Sequence, residues 1–301
     1  MNYHYCEGYW NRGWGRYESS DYVGGVDQNA PHNHADGESH CVCVTFDQLF
    51  GGSSNGSGHY PVRGLREFEG VTVNYPESFF REQGYKAEGD NYIVYSGDGF
   101  KYVATEVLAD ASKNVTIELA NDIDLDSTIN VENGQTVTID LNGHKITSEI
   151  AGKPSESFGL FSVNGELEIN GNGTISLTSE DFEWNSSYRY TAINIREKGV
   201  VTLGEGVSVI CEASKDGSYG MSYAVDIYTT GKLNINGASL HSNYIAVRCF
   251  FGNSVVNVNS GSKITSSKNN YGIWLQSSPG AVVNIADGVN YTVENDIYYF
   301  N

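Results

Sequence analysis

Residues 161–177 read FSVNGELEINGNGTISL and contain three short apolar-polar-apolar triplets separated by turns rich in glycine and asparagine. The triplets are Phe161-Ser162-Val163, Leu167-Glu168-Ile169 and Ile175-Ser176-Leu177. Side chains alternate across a β-strand, so the two outer residues of each triplet are expected to face a core and the middle residue to face outward. This stretch therefore predicts three short strands in quick succession.

The same three-strand unit recurs along the chain, and its copies align when written beneath one another. First strands are predicted at Ile129-Asn130-Val131, Phe161-Ser162-Val163, Ile193-Asn194-Ile195, Val225-Asp226-Ile227, Val247-Arg248-Cys249 and Ile273-Trp274-Leu275. Second strands are predicted at Val137–Ile139, Leu167–Ile169, Val201–Leu203, Leu233–Ile235, Val256–Val258 and Val283–Ile285. Third strands are predicted around Ile146, Ile175–Leu177, Val207–Val209, Leu240, Ile264 and Val289–Tyr291.

Glycines mark the turns between these strands. They precede the second strands at Gly165, Gly199, Gly231 and Gly280, and the third strands at Gly143, Gly171, Gly206, Gly237, Gly261 and Gly288, where a positive φ is expected. A unit of three strands that repeats along the chain predicts an all-β fold. The specific prediction is a right-handed parallel β-helix of about six to seven coils over residues 101–301, with three strands in each coil. A β-sandwich would need hairpin turns and would not show this register.

One helix is predicted upstream of the repeat, over Tyr102–Ala111, where it would cap the open end of the stack. After it come NVTIELANDIDLD at 114–126 and TVTIDLNGHKIT at 136–147. These segments resemble the pectin-lyase-like parallel β-helix domains of bacterial surface proteins and of phage tail and fibre proteins. The resemblance covers about two thirds of the chain, and it implies a fold far more than an activity.

Composition and charge exclude several classes of function. The formal net charge of −19 and the lack of any Lys/Arg run argue against nucleic-acid binding. No apolar run approaches the roughly 20 residues of a membrane span, and the opening residues do not form a signal peptide. The sequence thus predicts assembly in a cytoplasm, or a signal that was removed.

Residues 1–100 lack the repeat and are rich in aromatic residues, with a linker-like stretch over residues 51–58. We interpret them as an attachment region that becomes ordered against other virion or surface structural proteins, or against sister chains. Elongated β-helix appendages are often trimers, which favours a homo-oligomer and in particular a trimer.

A cluster of imidazoles and thiols within this region offers ligands suited to zinc or iron: His32, His34, His40, Cys41 and Cys43. The His-x-His pair resembles the iron-binding pairs on the trimer axes of phage fibres. The spacing matches no standard zinc finger, which favours a polar loop with unpaired thiols over a metal site, so no cofactor is predicted. Cys211 and Cys249 fall within predicted strands and are expected to be small buried hydrophobes.

The predicted outward residues of the first strands differ from those of the other two faces. The second strands present Thr138, Glu168, Thr202, Asn234, Asn257 and Asn284, and the third strands present Ser176, Ser208 and Thr265, which are typical of a solvated sheet. The first strands instead present two rows of rings, guanidinium groups and one carboxylate: Asn194, Asp226, Arg248 and Trp274, then Arg196, Tyr228, Phe250 and Gln276. At about 4.8 Å per coil, such a strip suits an extended sugar chain.

Two interpretations of the strip stay open at the level of sequence: a glycan-binding groove, or packing beneath a loop such as Thr178–Tyr190 or against a neighbouring subunit. Catalysis has less support, because only Asp226 stands on this face, with Glu197 and Glu212 as neighbours of uncertain position. A glycosidase needs converging carboxylates, and a lyase needs a base for which Arg248 is the best candidate. No catalytic residue is predicted.

The sequence therefore predicts a non-enzymatic virion or surface-appendage protein, such as a phage fibre, spike or head-decoration subunit, located in the virion or on the extracellular surface. Its partners would be structural proteins bound through residues 1–100 and host-surface polysaccharide bound by the β-helix. The alternatives are a secreted bacterial adhesin, and a polysaccharide lyase or glycoside hydrolase of the same fold.

Overall fold

The computed structural model describes residues 75–107, 114–150, 157–179, 188–213, 221–266, 271–291 and 295–300. The chain divides into two compact units, Met1–Phe79 and Phe80–Asn301. In the first unit the described residues are 75–79, where the Tyr75 ring stacks on Phe79 at a centroid distance of 4.4 Å. The second unit carries the repeat.

The described residues are mostly β-strand, with two short helices near the start. The helices are α1 (Glu77–Gln83) and α2 (Gly97–Tyr102), and α2 continues into a π-helical turn over Val103–Val107. The strands in the first part of the unit are β1 (Tyr85–Glu88), β2 (Asn91–Val94), β3 (Asn114–Leu119), β4 (Ile123–Asp124), β5 (Ile129–Val131), β6 (Thr136–Asp140), β7 (Lys145–Ile150), β8 (Phe158–Val163), β9 (Glu166–Asn170), β10 (Gly173–Ser179), β11 (Arg189–Ile195) and β12 (Val200–Leu203). The remaining strands are β13 (Val207–Glu212), β14 (Met221–Tyr228), β15 (Lys232–Ile235), β16 (Ser239–Ser242), β17 (Ile245–Phe250), β18 (Val255–Val258), β19 (Lys263–Ser266), β20 (Tyr271–Gln276), β21 (Val282–Ile285), β22 (Asn290–Tyr291) and β23 (Asn295–Phe300).

These strands form three long sheets, and from β3 onward consecutive strands along the chain belong to sheets A, B and C in a repeating order. Sheet A has the order β1-β2-β3-β6-β9-β12-β15-β18-β21, sheet B the order β22-β19-β16-β13-β10-β7-β4, and sheet C the order β23-β20-β17-β14-β11-β8-β5. Neighbouring strands are parallel, apart from the antiparallel pair β1–β2. From β5 onward each circuit adds one strand to each sheet, an arrangement consistent with a parallel β-helix.

The register of sheets A and C agrees with the alignment predicted from sequence. In sheet C, Ile193 pairs with Val225, Val225 with Val247, and Val247 with Ile273, and all four side chains are buried. In sheet A the predicted second strands pair in the same way, with Leu233 beside Val256. The aliphatic columns of the core were therefore predicted correctly.

Sheet B departs from the predicted alignment by two residues at two strands, β13 and β22, and at β22 Tyr291 rather than Val289 pairs with Ile264. Ile175 pairs with Val209, so the outward row is Ser176, Ile210, His241 and Thr265, and Ser208 instead neighbours Thr174. Buried and less buried side chains alternate along β13, and a shift of two residues keeps every side chain on the same face. The sequence pattern could not distinguish these two registers.

Glycines at the turns serve two different purposes. Those before the third strands adopt a positive φ as predicted, with Gly171 at 77°. Those before the second strands do not, and the expectation of a positive φ is wrong for them. At Gly165 an added Cβ would lie 2.3 Å from the Glu132 carbonyl oxygen, so glycine is needed there because two backbone segments approach closely.

The start of the repeat also differs from the prediction. The helix predicted over Tyr102–Ala111 begins earlier, at Gly97, because the Ser96 hydroxyl caps it by accepting a hydrogen bond from the Gly99 N–H at 3.1 Å. Upstream of it, β2 joins sheet A beside β3. Phe100 is fully buried and meets Phe161 edge-on at a centroid distance of 6.4 Å. The compact unit thus starts at Phe80, upstream of the predicted start at Lys101.

Within the described ranges, no helix has the length and apolar character needed to cross a membrane.

Candidate functional site

The outer face of sheet C carries a second buried layer. Asp226 and Arg248 are 3% and 1% exposed although they point away from the core, whereas Asn234 and Asn257 at equivalent positions of sheet A are half-buried. Tyr223 and Ile245 are also buried, yet they lie outside the main hydrophobic core cluster. Part of the predicted strip is therefore covered rather than open to solvent.

An ion pair lies at the centre of this layer. Arg248 Nε donates to Asp226 Oδ1 at 2.8 Å, and Arg248 Nη2 donates to Oδ2 at 2.5 Å. The guanidinium carbon lies 4.3 Å from the Tyr223 ring centroid and 4.6 Å from that of Phe250, and Nη1 donates to Gln276 Oε1 at 3.3 Å. Burial alone would lower the pKa of Arg248, but the adjacent Asp226 carboxylate raises it above the usual value. Both charges are thus fully engaged with each other.

The residues of the two predicted rows lie side by side on neighbouring strands of sheet C. Asn194 pairs with Asp226, Asp226 with Arg248, and Arg248 with Trp274. In the second row, Tyr228 pairs with Phe250 and Phe250 with Gln276. The residues of the two rows differ in their exposure to solvent. Three are buried: Asp226, Arg248 and Phe250. Arg196 is exposed, and the others are half-buried: Asn194, Tyr228, Trp274 and Gln276.

The open part of the strip forms a cleft with a cavity volume of about 130 Å³. It brings together four residues predicted from the sequence: Asn194, Arg196, Asp226 and Tyr228. It also contains residues that the prediction missed: Ser157, Phe158, Gly159, Arg189 and Thr191. Phe158, Gly159, Arg189 and Thr191 belong to the N-terminal halves of β8 and β11, which extend further than the predicted triplets, and Ser157 precedes β8. Strict alternation from Ile193 would place Thr191 on the core side, so the triplet pattern gave no signal for it. Arg248, Phe250, Trp274 and Gln276 do not line the cleft.

Two guanidinium groups give the cleft its charge. The guanidinium carbon of Arg189 lies 4.9 Å from the Phe250 ring centroid, and that of Arg196 lies 5.6 Å from the Tyr228 ring centroid. Neither arginine forms an ion pair with another residue in the described parts of the chain. The one carboxylate of the lining, Asp226, is neutralised by Arg248. The cleft therefore presents a local positive charge.

Two polar atoms in the lining lack hydrogen-bond partners. Arg189 Nε and Asn194 Oδ1 are buried, and neither bonds to any residue that the structure describes. The Arg189 backbone N–H, in contrast, donates to the Ser157 hydroxyl at 3.0 Å. Buried polar atoms are nearly always paired in native proteins, so an unpaired donor and an unpaired acceptor side by side call for a ligand that offers both.

Aromatic rings lie beside the cleft. Tyr228 forms part of the lining, and the Phe251 ring meets it edge-on at a centroid distance of 6.3 Å. Phe251 is 46% exposed, with φ of 58°, and its ring centroid is 4.0 Å from that of Phe250. An exposed phenylalanine next to polar groups provides a flat apolar surface of the kind on which sugar rings stack. The strand alternation did not predict Phe251, because this residue lies in a turn beyond the end of β17.

The other carboxylates considered for catalysis do not converge on the cleft. Glu212 lies on sheet B, where its Oε1 is 3.4 Å from Nε2 of His241. Glu197 follows β11 in a turn and is exposed. Within the described residues, the lining of the cleft thus provides one carboxylate, already paired, and no second acid or base beside it.

The candidate metal ligands His32, His34, His40, Cys41 and Cys43 lie outside the described residues, and that site stays a hypothesis. In the parts of the chain that are described, no group of three His, Cys, Asp or Glu side chains is placed to hold a metal ion. Cys211 and Cys249 are fully buried as expected, and burial raises the pKa of each thiol to about 12.

The chain matches no family model, no curated protein and no solved structure. The geometry and chemistry of the cleft are therefore the basis of the functional argument.

Proposed function

We propose that this chain is a non-enzymatic virion or surface-appendage protein whose cleft on sheet C binds a host-surface glycan. The main support for this proposal is the composition of the cleft. Its lining contains two guanidinium groups without an ion-pair partner among the described residues, two hydroxyls, an amide and a tyrosine ring. Proteins recognise sugars with this combination, since rings pack on the apolar faces of pyranoses while polar side chains bond to hydroxyl or carboxylate groups.

The proposed fold is a right-handed parallel β-helix of about six to seven coils, of the pectin-lyase-like kind. The rotation of the chain through sheets A, B and C supports it, with one parallel strand added to each sheet per circuit. Parallel crossovers within a sheet are right-handed in nearly all proteins, which is the basis for the proposed hand. A fold of this kind presents a long, rigid surface, and binding sites on rigid elements hold their geometry well.

The proposed partners follow from the division of the chain. Residues 1–100 attach to other virion or surface structural proteins, and the assembly is a homo-oligomer, in particular a trimer. The location is the virion or the extracellular surface. Support for this part comes from the sequence alone: the aromatic residues and the missing repeat of the N-terminal region.

Binding is favoured over hydrolysis by the state of Asp226. A glycosidase needs one carboxylic acid and one carboxylate on either side of the scissile bond. Asp226 has both oxygens bound to the Arg248 guanidinium and is 3% exposed, so it is held as a paired carboxylate rather than as a free acid or base. A lyase or hydrolase on this fold is therefore the weaker alternative.

The experiment compares the binding of purified protein to immobilised host-surface polysaccharide. Arg196→Ala and Phe251→Ala alter exposed residues at and beside the cleft, so both variants should fold. We expect each to weaken binding about tenfold or more, as loss of an anchor residue does at a binding hot spot. Lys263→Ala removes an exposed cation on sheet B and is the matched control, which should bind as the wild type does. Equal loss in all three variants, or none in the first two, would contradict the proposal.

A further inference from the structure

The cleft is too short for an extended sugar chain. On the strand next to Asp226 the strip is covered, because Arg248 and Phe250 are 1% and 9% exposed. The cavity volume of about 130 Å³ is well below the roughly 300–1,000 Å³ of pockets that enclose drug-sized ligands. A ligand of the size of one sugar ring fits such a space, and the second ring of an internal stretch would meet the covered part of the strip.

Charge favours a single acidic group over a polyanion. The whole chain carries a formal net charge of −19, which repels a long acidic polymer. Within the cleft, however, the guanidinium groups of Arg189 and Arg196 have no ion-pair partner among the described residues. At physiological ionic strength charges are screened beyond about 8 Å, so one carboxylate inside the cleft mainly experiences these two nearby cations.

The two buried atoms without hydrogen-bond partners indicate which kind of anion the cleft would bind. Arg189 Nε is a donor and requires an acceptor oxygen, whereas Asn194 Oδ1 is an acceptor and requires a donor such as a hydroxyl. Sulfate offers acceptors only. A sugar that carries both a carboxylate and free hydroxyls satisfies both atoms, and its ring can pack against Tyr228, which also lines the cleft.

We infer that the cleft binds one acidic sugar residue at the free end of a glycan, with the sugar carboxylate bound between Arg189 and Arg196. This inference rests on the proposed function and narrows it to a substrate class. A terminal residue is favoured over an internal one because Arg248 and Phe250 are covered, so a second sugar ring could not continue along the strip on that side.

The test uses isothermal titration of the full chain with methyl β-glucuronide, and with methyl β-glucoside as the neutral analogue. These two probes differ only in a carboxylate against a hydroxymethyl group. We expect the glucuronide to bind at least tenfold more tightly than the glucoside, and sodium sulfate at equal concentration not to displace it. Equal affinity for the two sugars, or displacement by sulfate, would overturn the inference.

Two variants locate the binding. Gly159→Val adds a side chain to the lining of the cleft, and its Cβ has room, because the nearest neighbour, the Asn194 Cβ, would lie at an ordinary 3.6 Å. Circular dichroism of the variant checks that it folds. Arg189→Met keeps the length of the side chain and removes its charge and its donors. We expect Gly159→Val to abolish glucuronide binding, Arg189→Met to weaken it at least tenfold, and Lys263→Met to leave it unchanged. Unchanged binding in Gly159→Val would overturn the assignment to this cleft.

The binding experiments distinguish failure of the acidic-sugar inference from failure of the proposed glycan-binding function. If immobilised host polysaccharide binds but the glucuronide does not, the acidic-end inference is wrong and the glycan-binding function stands. If neither the polysaccharide nor either small sugar binds, both are wrong.

Discussion

Asp226 binds Arg248 through both carboxylate oxygens across neighbouring strands of sheet C, and the pair lies on the outer side of the sheet with almost no exposure to water. A buried ion pair is costly to break, because removal of one partner leaves the other charge without a counterion in a dry site. The pair divides the outer face of sheet C into a covered part, with Tyr223 and Phe250, and the open cleft.

Asp226→Ala should lower the free energy of unfolding by about 3–5 kcal/mol, because it leaves the Arg248 guanidinium buried and uncompensated. Urea unfolding followed by circular dichroism measures this. The double variant Asp226→Ala/Arg248→Met should recover part of the loss, since it leaves no unpaired charge. As a control, Lys101→Met removes the exposed ion pair with Asp126 and should not measurably change the unfolding midpoint. An Asp226→Ala variant as stable as the control would mean that the pair is not buried.

Tyr223→Phe should make the protein less sensitive to alkaline pH. Burial raises the pKa of Tyr223 above its ordinary value of 10.0; the nearby Arg248 cation offsets part of this rise, and Asp226 adds to it. Above pH 10 the unfolded chain releases this proton while the folded chain keeps it, so stability is complete below pH 10 and falls as the pH rises beyond it. The variant should therefore lose stability less steeply above pH 10 than the wild type does.

At pH 7 the same variant should be as stable as the wild type or more stable, by up to about 1 kcal/mol, because the Tyr223 hydroxyl is buried and bonds to none of the described residues. The ring that packs on Arg248 is kept. Thermal unfolding over pH 7–11 tests both statements. A Tyr223→Phe variant that is clearly destabilised at pH 7 would show that the hydroxyl has a partner.

Asn257→Ala should lower the free energy of unfolding by about 1 kcal/mol, the usual net contribution of side-chain hydrogen bonds that it removes. Asn257 Nδ2 donates to Asn234 Oδ1 at 2.8 Å, and Asn284 Nδ2 donates to Asn257 Oδ1 at 2.8 Å, so the residue is the middle of an amide ladder on sheet A. Glu168→Ala, on the same face, should change stability by less than about 0.5 kcal/mol. Glycan binding should be unchanged in both variants, and a loss of binding in Asn257→Ala would move the site to sheet A.

Removal of residues 1–76 should leave a chain that unfolds cooperatively, whereas removal of residues 1–100 should not. The longer deletion takes away β1 and β2 from sheet A, together with Phe100, which is fully buried in the core. Loss of a buried phenylalanine alone costs about 3–5 kcal/mol. Differential scanning calorimetry distinguishes the two truncations. Equal melting temperatures would place the start of the folded unit at residue 101, as the repeat alone suggested.

The core of the fold was predictable because the apolar positions alternate strictly and repeat. Ile193, Val225 and Val247 stack as expected, since a shift by one residue would place them in water. The register of β13 was not predictable, because a shift of two residues exchanges one apolar residue for another. The strand β2 was missed for a different reason: it is four residues long and has no copy further along the chain to align with.

The candidate site was predicted in part. The alternation of first-strand residues identified the rows that contain Asp226 and Arg248, but a sequence pattern carries no information about what covers an outward face. Their burial follows from tertiary packing, and so does the position of the cleft. Arg189 and Gly159 were missed because strands β11 and β8 continue beyond the triplets that the repeat defined.

The most direct test of the central claim is a crystal structure of the chain soaked with the host-surface saccharide to which it binds most tightly. The account predicts electron density for one sugar ring in the cleft of sheet C, with an oxygen within hydrogen-bond distance of Arg189 Nε and a hydroxyl donating to Asn194 Oδ1. Saccharide density on sheet A or sheet B, with the cleft empty, would contradict it.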